Sequence, residues 1–463
     1  MSPGSGPDVL VLGAGPAGVG AAYRAARAGH RVVVLERSTA PGGMAGSFEV
    51  GGQRVDHGSH RLHPTTDAAV LAELRRLLGG ELQLRPRNGR IRLAGRWIAF
   101  PLRPADLLRR LPKGFALAAA RDAALAPLRR PGADTFAEVV RAGLGPALAE
   151  RFYFPYARKL WGLEPDRIAG EQARRRIGAS SPGKLLRRVL GSGGRSAVFW
   201  YPRRGYGQIS EALAAAAETA GAELRYGAEA EAVELGDDRV RVRLAGDEQV
   251  EAGRLWTTLP LTVLARMTSP PPPEAALEAA SRLEFRAMLL VYLVLDVDRY
   301  TPFDAHYLPE AWTPVTRVSE PKNYRDGDDV TGRTVLCAEL PCSRDDRLWT
   351  ASDEELGAIA ADALEGAGLP RPQVVETFVR RLPFVYPVYS LGYESAVRAL
   401  DDWAEAQPRL LTFGRLGLFV HDNTHHALAM AWAAADSLRA DGSFDDAAWR
   451  AARERFAAHV VED

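Results

Sequence analysis

Short apolar runs and longer amphipathic stretches alternate along this chain. Residues 8–12 and 31–35 are apolar and rich in β-branched side chains, which predicts two strands. Between them, residues 19–28 are rich in helix formers and end before Gly29, which predicts one helix. The N-terminal pattern is therefore a β-turn-helix-β unit, which is typical of a parallel sheet covered by helices.

Further elements follow along the rest of the chain. Residues 223–233 and 239–244 alternate between apolar and polar positions, and residues 286–297 form a long apolar run, so all three predict strands. Residues 103–130 instead carry periodic Leu and Ala with basic residues between them, which predicts helix. Such a face fits a membrane surface or a protein core, and the core interpretation is preferred.

The turn between the first strand and the helix is rich in glycine and reads Gly-Ala-Gly-Pro-Ala-Gly. Gly13 permits the tight turn, Gly15 lets a pyrophosphate approach the backbone, and Gly18 lets the helix pack on the strand. Glu36 ends the second strand, where a carboxylate accepts hydrogen bonds from the hydroxyls of an unphosphorylated ribose. The unit therefore predicts a site for FAD or NAD rather than NADP.

The residues after Glu36 decide between these two cofactors. Arg37 and the pair Gly42-Gly43 follow the acid at a spacing that resembles the flavoprotein superfamily of amine oxidases, protoporphyrinogen oxidase, phytoene desaturase and UDP-galactopyranose mutase. The stretches 55–63, 156–163 and 412–426 are most similar to the mutase branch. The resemblance implies FAD as the cofactor.

The same resemblance implies an α/β fold with a Rossmann-like FAD-binding domain of the glutathione-reductase-like (GR2) type, into which a β-sheet substrate domain and a helical domain are inserted. The FAD-binding domain is expected to be discontinuous, at 1–66, 203–268 and 400–463. The substrate domain is expected at 67–102 and 269–399, and the helical domain at 103–202.

Residues matching the cofactor-binding positions of the superfamily come from the two ends of the chain and from one strand between them. The Gly pair lets the chain pass close to the cofactor, and the N-terminus of the last small-residue helix would stabilise negative charge on reduced flavin. The expected FAD-binding residues are Gly13, Gly15, Pro16, Ala17, Gly18, Glu36, Arg37, Gly42, Gly43, Met44, His60, Val233, Gly414, Arg415, Asn423 and Thr424.

The resemblance also implies residues for catalysis and substrate binding. His60 and Tyr386 are the candidates for orientation or proton transfer. Arg317 falls on a position that binds diphosphate in the mutase, through the planar fork of the guanidinium group, although pairing with Glu320 or another carboxylate is the structural alternative. The remaining substrate-binding candidates are Trp161, Arg176 or its neighbour Arg175, Tyr386 and Tyr389. Trp161 could equally be an ordinary buried aromatic residue of the core.

Composition and charge limit the other classes of function. The chain has 463 residues, 59 basic and 58 acidic, so there is no overall charge for nucleic acid. Residues 103–204 nevertheless carry 21 Lys or Arg against 8 Asp or Glu, which fits an anionic ligand or a solvated face. The two cysteines fit a reducing compartment, so a cytoplasmic location is expected.

Partners and metals follow from the same observations. We expect a small-molecule substrate, with a phosphate-bearing compound or a nucleotide sugar among the options, no nucleic acid and no stable membrane insertion. A homodimer is one option for assembly. His425 and His426 are adjacent and point to different faces of a helix, and no third ligand stands at zinc spacing, so no metal is expected.

Three functions compete at this point. The first is an FAD-dependent oxidoreductase of the dehydrogenase, oxidase or desaturase type, which transfers a hydride from a small anionic or glycosylated metabolite to flavin N5. The second is a redox-neutral sugar-nucleotide isomerase like UDP-galactopyranose mutase, which uses reduced FAD. The third is a non-catalytic binding protein like the Rab GDP-dissociation inhibitors, against which the intact Glu36 and Gly42-Gly43 argue. The first is preferred. The mutase branch carries a Tyr-Asp pair where this chain has Asp422-Asn423, so UDP-galactopyranose is doubtful as substrate.

Overall fold

The N-terminal unit forms as the hydrophobic pattern predicts. The computed structural model describes residues 6–129, 134–177 and 197–461. Strand Val9–Leu12 pairs in parallel with strand Val32–Glu36, and the helix between them spans Pro16–Arg27. This helix begins three residues earlier than the helix formers alone suggest, because Pro16 occupies its first turn, where a missing backbone N–H is tolerated.

A five-stranded parallel sheet organises the part of the molecule around this unit. Its strands come from three distant stretches of the chain, which agrees with a discontinuous domain whose boundaries remain a prediction. From one edge to the other the strands are Leu410–Thr412, Arg254–Thr257, Val9–Leu12, Val32–Glu36 and Glu223–Tyr226.

Helices and a second sheet cover the two faces of this parallel sheet. On one face, helix Pro16–Arg27 packs between Gln208–Thr219 and Thr424–Asp436 in a core rich in alanine. On the other face lies a four-stranded sheet with the order Gln249–Ala252, Val240–Leu244, Ala230–Leu235 and Thr268–Ser269. The stretch 223–233, expected to be one strand, is split between the two sheets, and Gly227 with a φ of 71° lies at the break.

The largest sheet has seven strands and is mostly antiparallel. It contains the predicted apolar strand, observed as Phe285–Leu295, which is buried along almost its whole length and lies next to one edge strand. Its strands, in order, are Val374–Pro387, Phe285–Leu295, Thr334–Cys342, Arg317–Ser319, Ala305–Tyr307, Gly89–Leu93 and Arg96–Phe100. All of them fall within the stretches expected for a substrate domain.

Two smaller strand pairs link these parts. Hairpin Ser47–Val50 and Gln53–Asp56 leads from the cofactor end toward the seven-stranded sheet. Strand Leu82–Pro86 pairs with Val198–Pro202. The end of the stretch expected to be a helical domain is therefore a strand, and the part of that domain at 178–196 lies outside the described residues.

The α-helices of the described ranges complete the list of regular elements. Those of residues 103–177 are Pro104–Arg110, Lys113–Leu125, Phe136–Leu144, Pro146–Leu148, Phe154–Trp161 and Gly170–Ile177. The others are Ala68–Leu78, Gln208–Thr219, Leu261–Met267, Glu274–Arg282, Arg347–Thr350, Asp353–Gly366, Tyr393–Glu405, Gly414–Gly417, Thr424–Asp436 and Asp446–Ala457. None of the helices in these ranges has both the length and the apolar character that crossing a bilayer requires.

Candidate active site

A cavity of about 600 Å³ opens at the carboxyl ends of the parallel strands. In open α/β sheets ligands bind at this edge, because the strand ends and helix N-termini meet there. Most of the expected cofactor-binding residues line it. They are Gly13, Gly15, Pro16, Ala17, Glu36, Arg37, Gly43, Met44, His60, Gly414, Arg415, Asn423 and Thr424.

The glycine-rich turn forms a cradle of backbone at the start of helix Pro16–Arg27. Gly13 has a φ of 99°, which other residues rarely adopt. A Cβ on Gly15 would meet nothing within 4 Å, so it would project into open space of the cavity. A Cβ on Gly18 would lie 1.9 Å from the carbonyl oxygen of Gly13. Gly18 therefore serves packing, while Gly13 and Gly15 leave room for a pyrophosphate at the helix N-terminus.

Glu36 lies at the other end of the cradle, and its carboxylate is buried and held in place. Its Oε2 accepts a hydrogen bond from the Ala14 N–H at 2.7 Å. Its Oε1 accepts from the Ser38 N–H at 2.9 Å and from the Ser38 hydroxyl at 2.7 Å. An ionised carboxylate offers about four lone-pair positions, so acceptor capacity remains for a ribose hydroxyl.

The Gly42-Gly43 loop folds back onto this turn. The Gly42 N–H donates to the carbonyl oxygen of Ala14 at 2.8 Å, and a Cβ on Gly42 would lie 2.5 Å from the Cα of Gly46. Gly42 therefore shapes the loop, and Gly43 lines the cavity. This close backbone approach explains why both positions hold glycine.

Val233, which was expected to bind the cofactor, does not line the cavity. It is fully buried in the core between the two sheets on the cofactor side, and the cavity wall is instead formed by the neighbouring residues Ala228, Glu229 and Ala230. Residues 228–230, and not Val233, therefore face the cavity at this point. The strand break at Gly227 sets this offset, because the chain turns toward the cavity before strand Ala230–Leu235 begins.

Two histidines stand in the middle of the cavity with defined tautomers. The Nδ1–H of His57 donates to the Gly43 carbonyl at 2.8 Å, and its Nε2 is buried without a hydrogen-bond partner in the described chain. The Nε2–H of His60 faces the carbonyls of Met44 at 2.9 Å and His57 at 3.0 Å. Burial lowers the pKa of His57 to about 4 and also lowers the pKa of His60, so both imidazoles are neutral at pH 7.

A smaller cavity of about 130 Å³ adjoins the first one. Both cavities share Met44, His57, His60, Arg317 and Arg415 in their walls, so they form one continuous site with a flavin-sized and a substrate-sized part. Tyr386 and Arg176 line the smaller part. The structure therefore brings Arg176, Arg317, Tyr386 and His60 together, as the sequence analysis expects.

Arg317 is not a free cation, however. Its Nη2 donates to both carboxylate oxygens of Glu339 at 2.8 Å, and its Nε donates to the same group at 3.1 Å. Oε1 of Glu339 also accepts from the Ser59 N–H at 2.8 Å. Arg317 thus pairs with a carboxylate, as the structural alternative expects, and the partner is Glu339. The carboxylate of Glu320 instead accepts from the backbone of Tyr300 and Thr301.

Arg415 has a different environment. Its Nε and Nη2 are buried and form no hydrogen bond within the described residues, and no carboxylate of these residues pairs with it. Its guanidinium lies 5.0 Å from the centre of the Tyr386 ring, and that of Arg176 lies 5.1 Å from the same ring. Burial lowers the pKa of Arg415. The charge of Asp422 acts on Arg415 from beyond ion-pair distance, so a bound anion would add to a compensation that is only partial.

Two expected substrate residues lie outside both cavities. Trp161 is buried in the core of the helical stretch, with its ring at 5.3 Å from that of Phe136. Tyr389 is also buried, stacks on Tyr393 at 4.1 Å between ring centres, and donates its hydroxyl to the Phe419 carbonyl at 3.1 Å. Their surroundings are those of core aromatic residues.

Other site residues carry signals that the sequence analysis did not use. His57 lies three residues before His60 in the same motif, and its placement in both cavities follows from the turn between them. Glu339 sits in an apolar strand, where a lone carboxylate predicts a buried partner. His421 lines the smaller cavity and stacks on Tyr386 at 6.0 Å between ring centres.

One group in the described ranges could supply three metal ligands. These are Asp422, His426 and His459, whose ligand atoms lie within 4.8 Å of one another. His459 Nδ1 already bonds to Asp422 at 2.7 Å, and His426 Nδ1 accepts from the Asn423 N–H at 3.2 Å. The two imidazole rings are stacked, 4.1 Å between centres, so their lone pairs do not converge. The absence of a metal stays a prediction.

The cradle, the carboxylate and the helix N-terminus fit FAD, and comparisons with known proteins agree. The family model for flavin containing amine oxidoreductase matches residues 16–436. The chain therefore belongs to this family of flavin-containing amine oxidoreductases. It is an FAD-dependent oxidoreductase, as the sequence analysis predicts, and the cofactor prediction is confirmed.

The individual proteins that the chain resembles share only a short segment or a low overall sequence identity with it. A segment of 50 residues is 54% identical to phytoene dehydrogenase of Streptomyces griseus, and it spans 11% of this chain and 10% of that protein. Reduced UDP-galactopyranose mutase superposes with a TM-score of 0.78 and 19% identity over 93% of each chain. A protein assigned as protoporphyrinogen oxidase from Exiguobacterium sp. 255-15 superposes with a TM-score of 0.71 and 21% identity over 93% of this chain and 98% of that one. These two structures confirm the expected fold.

Proposed function

We propose that this enzyme oxidises a small metabolite that carries an anionic group, and that Arg415 binds this group in the smaller cavity. The observation that supports the proposal is the environment of Arg415, a buried cation without a carboxylate partner in the described chain. An uncompensated buried charge is costly, so the position favours a ligand that brings the opposite charge. Guanidinium suits phosphate and carboxylate groups through its planar fork of donors.

Arg317 has a different role in this proposal. Its charge is compensated by Glu339, which leaves little attraction for a second anion. The pair also binds the loop that carries His60, because Glu339 accepts from the Ser59 N–H and Arg317 donates to the Ser59 carbonyl at 3.3 Å. Arg317 would therefore position the loop, while Arg415, with Arg176 near the same Tyr386 ring, would attract the substrate.

The remaining site residues have roles that follow from their protonation. When bound, FAD supplies the capacity to accept a hydride from a substrate carbon and to pass the electrons on. His60 is neutral and its Nε2–H is engaged, so its Nδ1 is an unprotonated acceptor for a substrate proton. The Tyr386 hydroxyl can donate to the same substrate. The N-terminus of helix Thr424–Asp436 stabilises negative charge at the cavity wall.

The test compares three variants of the FAD-loaded protein: Arg415→Met, Arg317→Met and, as a control, Arg398→Met at an exposed position. Inorganic pyrophosphate and acetate serve as anionic probes, and their binding is followed by the change in flavin absorbance. We expect Arg415→Met to lower the affinity for the probe by about 10- to 100-fold, because a charged hydrogen bond is lost, while FAD stays bound. Equal affinity in Arg415→Met and the control would refute the proposal.

The arrangement around Tyr386 also supports a second candidate, a redox-neutral isomerase acting on a sugar diphosphate. Two guanidinium groups that both lie close to one phenol ring can hold two phosphate charges. The two functions differ in the flavin state they need. Turnover of a candidate sugar nucleotide only after reduction with dithionite would favour the isomerase, while bleaching of the oxidised flavin by an anaerobic substrate would favour the oxidoreductase.

A further inference from the structure

The helices at 104–125 and the turn after them expose an unusual number of leucines. The exposed fraction is 74% for Leu117, 44% for Leu125 and 80% for Leu128. Single exposed leucines are common on protein surfaces, but three within twelve residues form a patch. The hydrophobic pattern of this stretch favours a role in the core, but these three leucines face solvent.

The exposed residues lie on one side of helix Lys113–Leu125. Leu117, Ala120 and Ala124 are all exposed and are spaced by three and four positions, and Leu128 continues the same row after the helix ends. Phe115 on the other side is buried against the end of the seven-stranded sheet. The helix is thus packed on one side, while an apolar row faces outward on the other.

Basic side chains flank this apolar row. Lys113 and Arg121 lie one turn before and one turn after Leu117, and both are exposed. Neither they nor Arg103 and Arg109 form an ion pair with any described residue. Residues 103–129 hold six Lys or Arg and two Asp, a net charge of +4 in a chain whose total is +1.

The two acids do not neutralise the patch. Asp106 pairs with Arg110 at 2.7 Å. Asp122 is buried and accepts from the Ala147 N–H at 2.7 Å. The outward surface of residues 103–129, which we call the 103–129 surface, therefore combines apolar and positively charged groups, with little exposed negative charge.

We propose that the 103–129 surface docks this enzyme onto the headgroup region of an anionic lipid bilayer. A helix with an apolar row and flanking cations lies in the plane of such an interface, with leucines among the acyl chains and cations at the lipid phosphates. A second copy of the chain fits less well. Two such surfaces placed face to face would bring eight unpaired cations together, since each copy contributes Arg103, Arg109, Lys113 and Arg121.

The position of the surface gives the docking a consequence for the site. Leu107, Leu111 and Phe115 pack in one cluster with Tyr307, and Tyr307 lines the smaller cavity. The element that meets the bilayer thus supports a wall of the substrate cavity. A docked enzyme would take an amphiphilic substrate from the membrane surface, which goes beyond the proposed function and does not depend on Arg415.

The experiment measures co-sedimentation of the FAD-loaded full chain with vesicles. One set contains phosphatidylcholine alone, and the other contains equal parts of phosphatidylcholine and phosphatidylglycerol. We expect binding to the anionic vesicles that weakens with added salt. Lys113→Glu with Arg121→Glu should lower the partition coefficient by about tenfold or more, and Leu117→Ser with Leu128→Ser by about tenfold.

Matched controls lie on other faces of the molecule. Arg282→Glu with Arg398→Glu reverses two exposed cations, and Val375→Ser with Leu391→Ser removes two exposed apolar side chains. Both control pairs should bind the anionic vesicles like the unchanged protein. Absence of binding to the anionic vesicles would overturn the proposal. So would equal losses in the control pairs, or a dimer in lipid-free sedimentation that the 103–129 substitutions dissociate.

Discussion

The two ends of the site differ in whether backbone groups or side chains form them. The dinucleotide end is mostly backbone: Gly13, Gly15 and Gly43 leave space, helix Pro16–Arg27 offers free N–H groups, and Glu36 is the main side chain. The end formed by the smaller cavity, which we propose for the substrate, is mostly charged and aromatic side chains from distant stretches of the chain, among them His60, Arg317, Tyr386 and Arg415.

The difference teaches what each end tolerates. A backbone cradle fails when a side chain is added, because its space and its dihedral angles are both fixed. A set of buried charged side chains fails when one charge is left alone, because desolvation is no longer offset by a partner. Arg317 and Arg415 show two states of such a charge: Arg317 pairs directly with a carboxylate, and Arg415 has no direct carboxylate partner among the described residues.

The largest expected effect breaks the backbone cradle. Gly18→Val would place a Cβ 1.9 Å from the Gly13 carbonyl oxygen, which cannot move without opening the first turn. We expect a loss of more than about 4 kcal/mol in the free energy of unfolding, measured by chemical denaturation. Gly15→Ala is the matched control, because its Cβ meets nothing and Gly15 has an ordinary φ of −68°.

Gly15→Ala should therefore fold with nearly unchanged stability but bind FAD more weakly, because the methyl group enters the cradle. Substitutions at the two glycines would then distinguish an effect on helix packing, at Gly18, from an effect on FAD binding, at Gly15. If Gly18→Val were as stable as the unchanged protein, the inference that Gly18 allows the helix to pack closely against the first turn would be wrong.

This division also explains how far the sequence could predict the structure. The motif from Gly13 to Gly18 and Glu36 acts through local spacing, so the β-turn-helix-β unit and a site for FAD or NAD were predictable from consecutive residues. The choice of FAD needed the Gly42-Gly43 pair and the family resemblance that it carries. The pairing of Arg317 with Glu339 depends on the register of two strands 22 residues apart, which no local pattern specifies. Trp161 and Tyr389 were expected in the site for the same reason: a motif indicates a residue type, and the packing around it decides whether it faces the cavity.

The second prediction concerns the compensated charge at the substrate end. Glu339→Gln keeps the shape of the side chain but leaves the buried Arg317 without its counter-charge. We expect a loss of about 3–5 kcal/mol in the free energy of unfolding, measured by urea denaturation. The double variant Arg317→Met with Glu339→Gln should regain most of this loss relative to Glu339→Gln alone, because both charges are then absent.

The double-mutant cycle provides the control within the experiment. Additive losses in the single and double variants would show that the two side chains do not interact. They would also remove the contrast with Arg415, whose replacement by Met should leave stability unchanged or raise it.

The third prediction uses the histidine at the junction of the two cavities. The folded-state pKa of His57 is lowered to about 4 by burial, while an unfolded histidine has a pKa of about 6.5. Between these values the unfolded chain binds the additional proton, so stability falls as the pH falls. From pH 7 to pH 5 we expect His57 to account for about 2 kcal/mol of lost stability.

The measurement is the free energy of unfolding at both pH values for the unchanged protein and for His57→Asn. Other groups titrate in the same range, including His306, whose pKa burial also lowers to about 4. The relevant quantity is therefore the difference between the two proteins, which should shrink by about 2 kcal/mol at pH 5. A difference that stays constant with pH would show that His57 is not held neutral.

The smallest expected effect lies at the ribose end of the cradle, where one side chain assists the backbone. Glu36→Ala removes acceptors for the ribose hydroxyls and for the Ala14 N–H. We expect the Kd for FAD to rise by about 5- to 30-fold, or about 1–2 kcal/mol, measured by fluorescence titration of the apoprotein. Glu229 lines the same cavity but is exposed, so Glu229→Ala should change the Kd by less than about twofold, because solvent screens its charge. Equal effects of the two substitutions would mean that negative charge in the cavity, and not the held carboxylate of Glu36, determines FAD affinity.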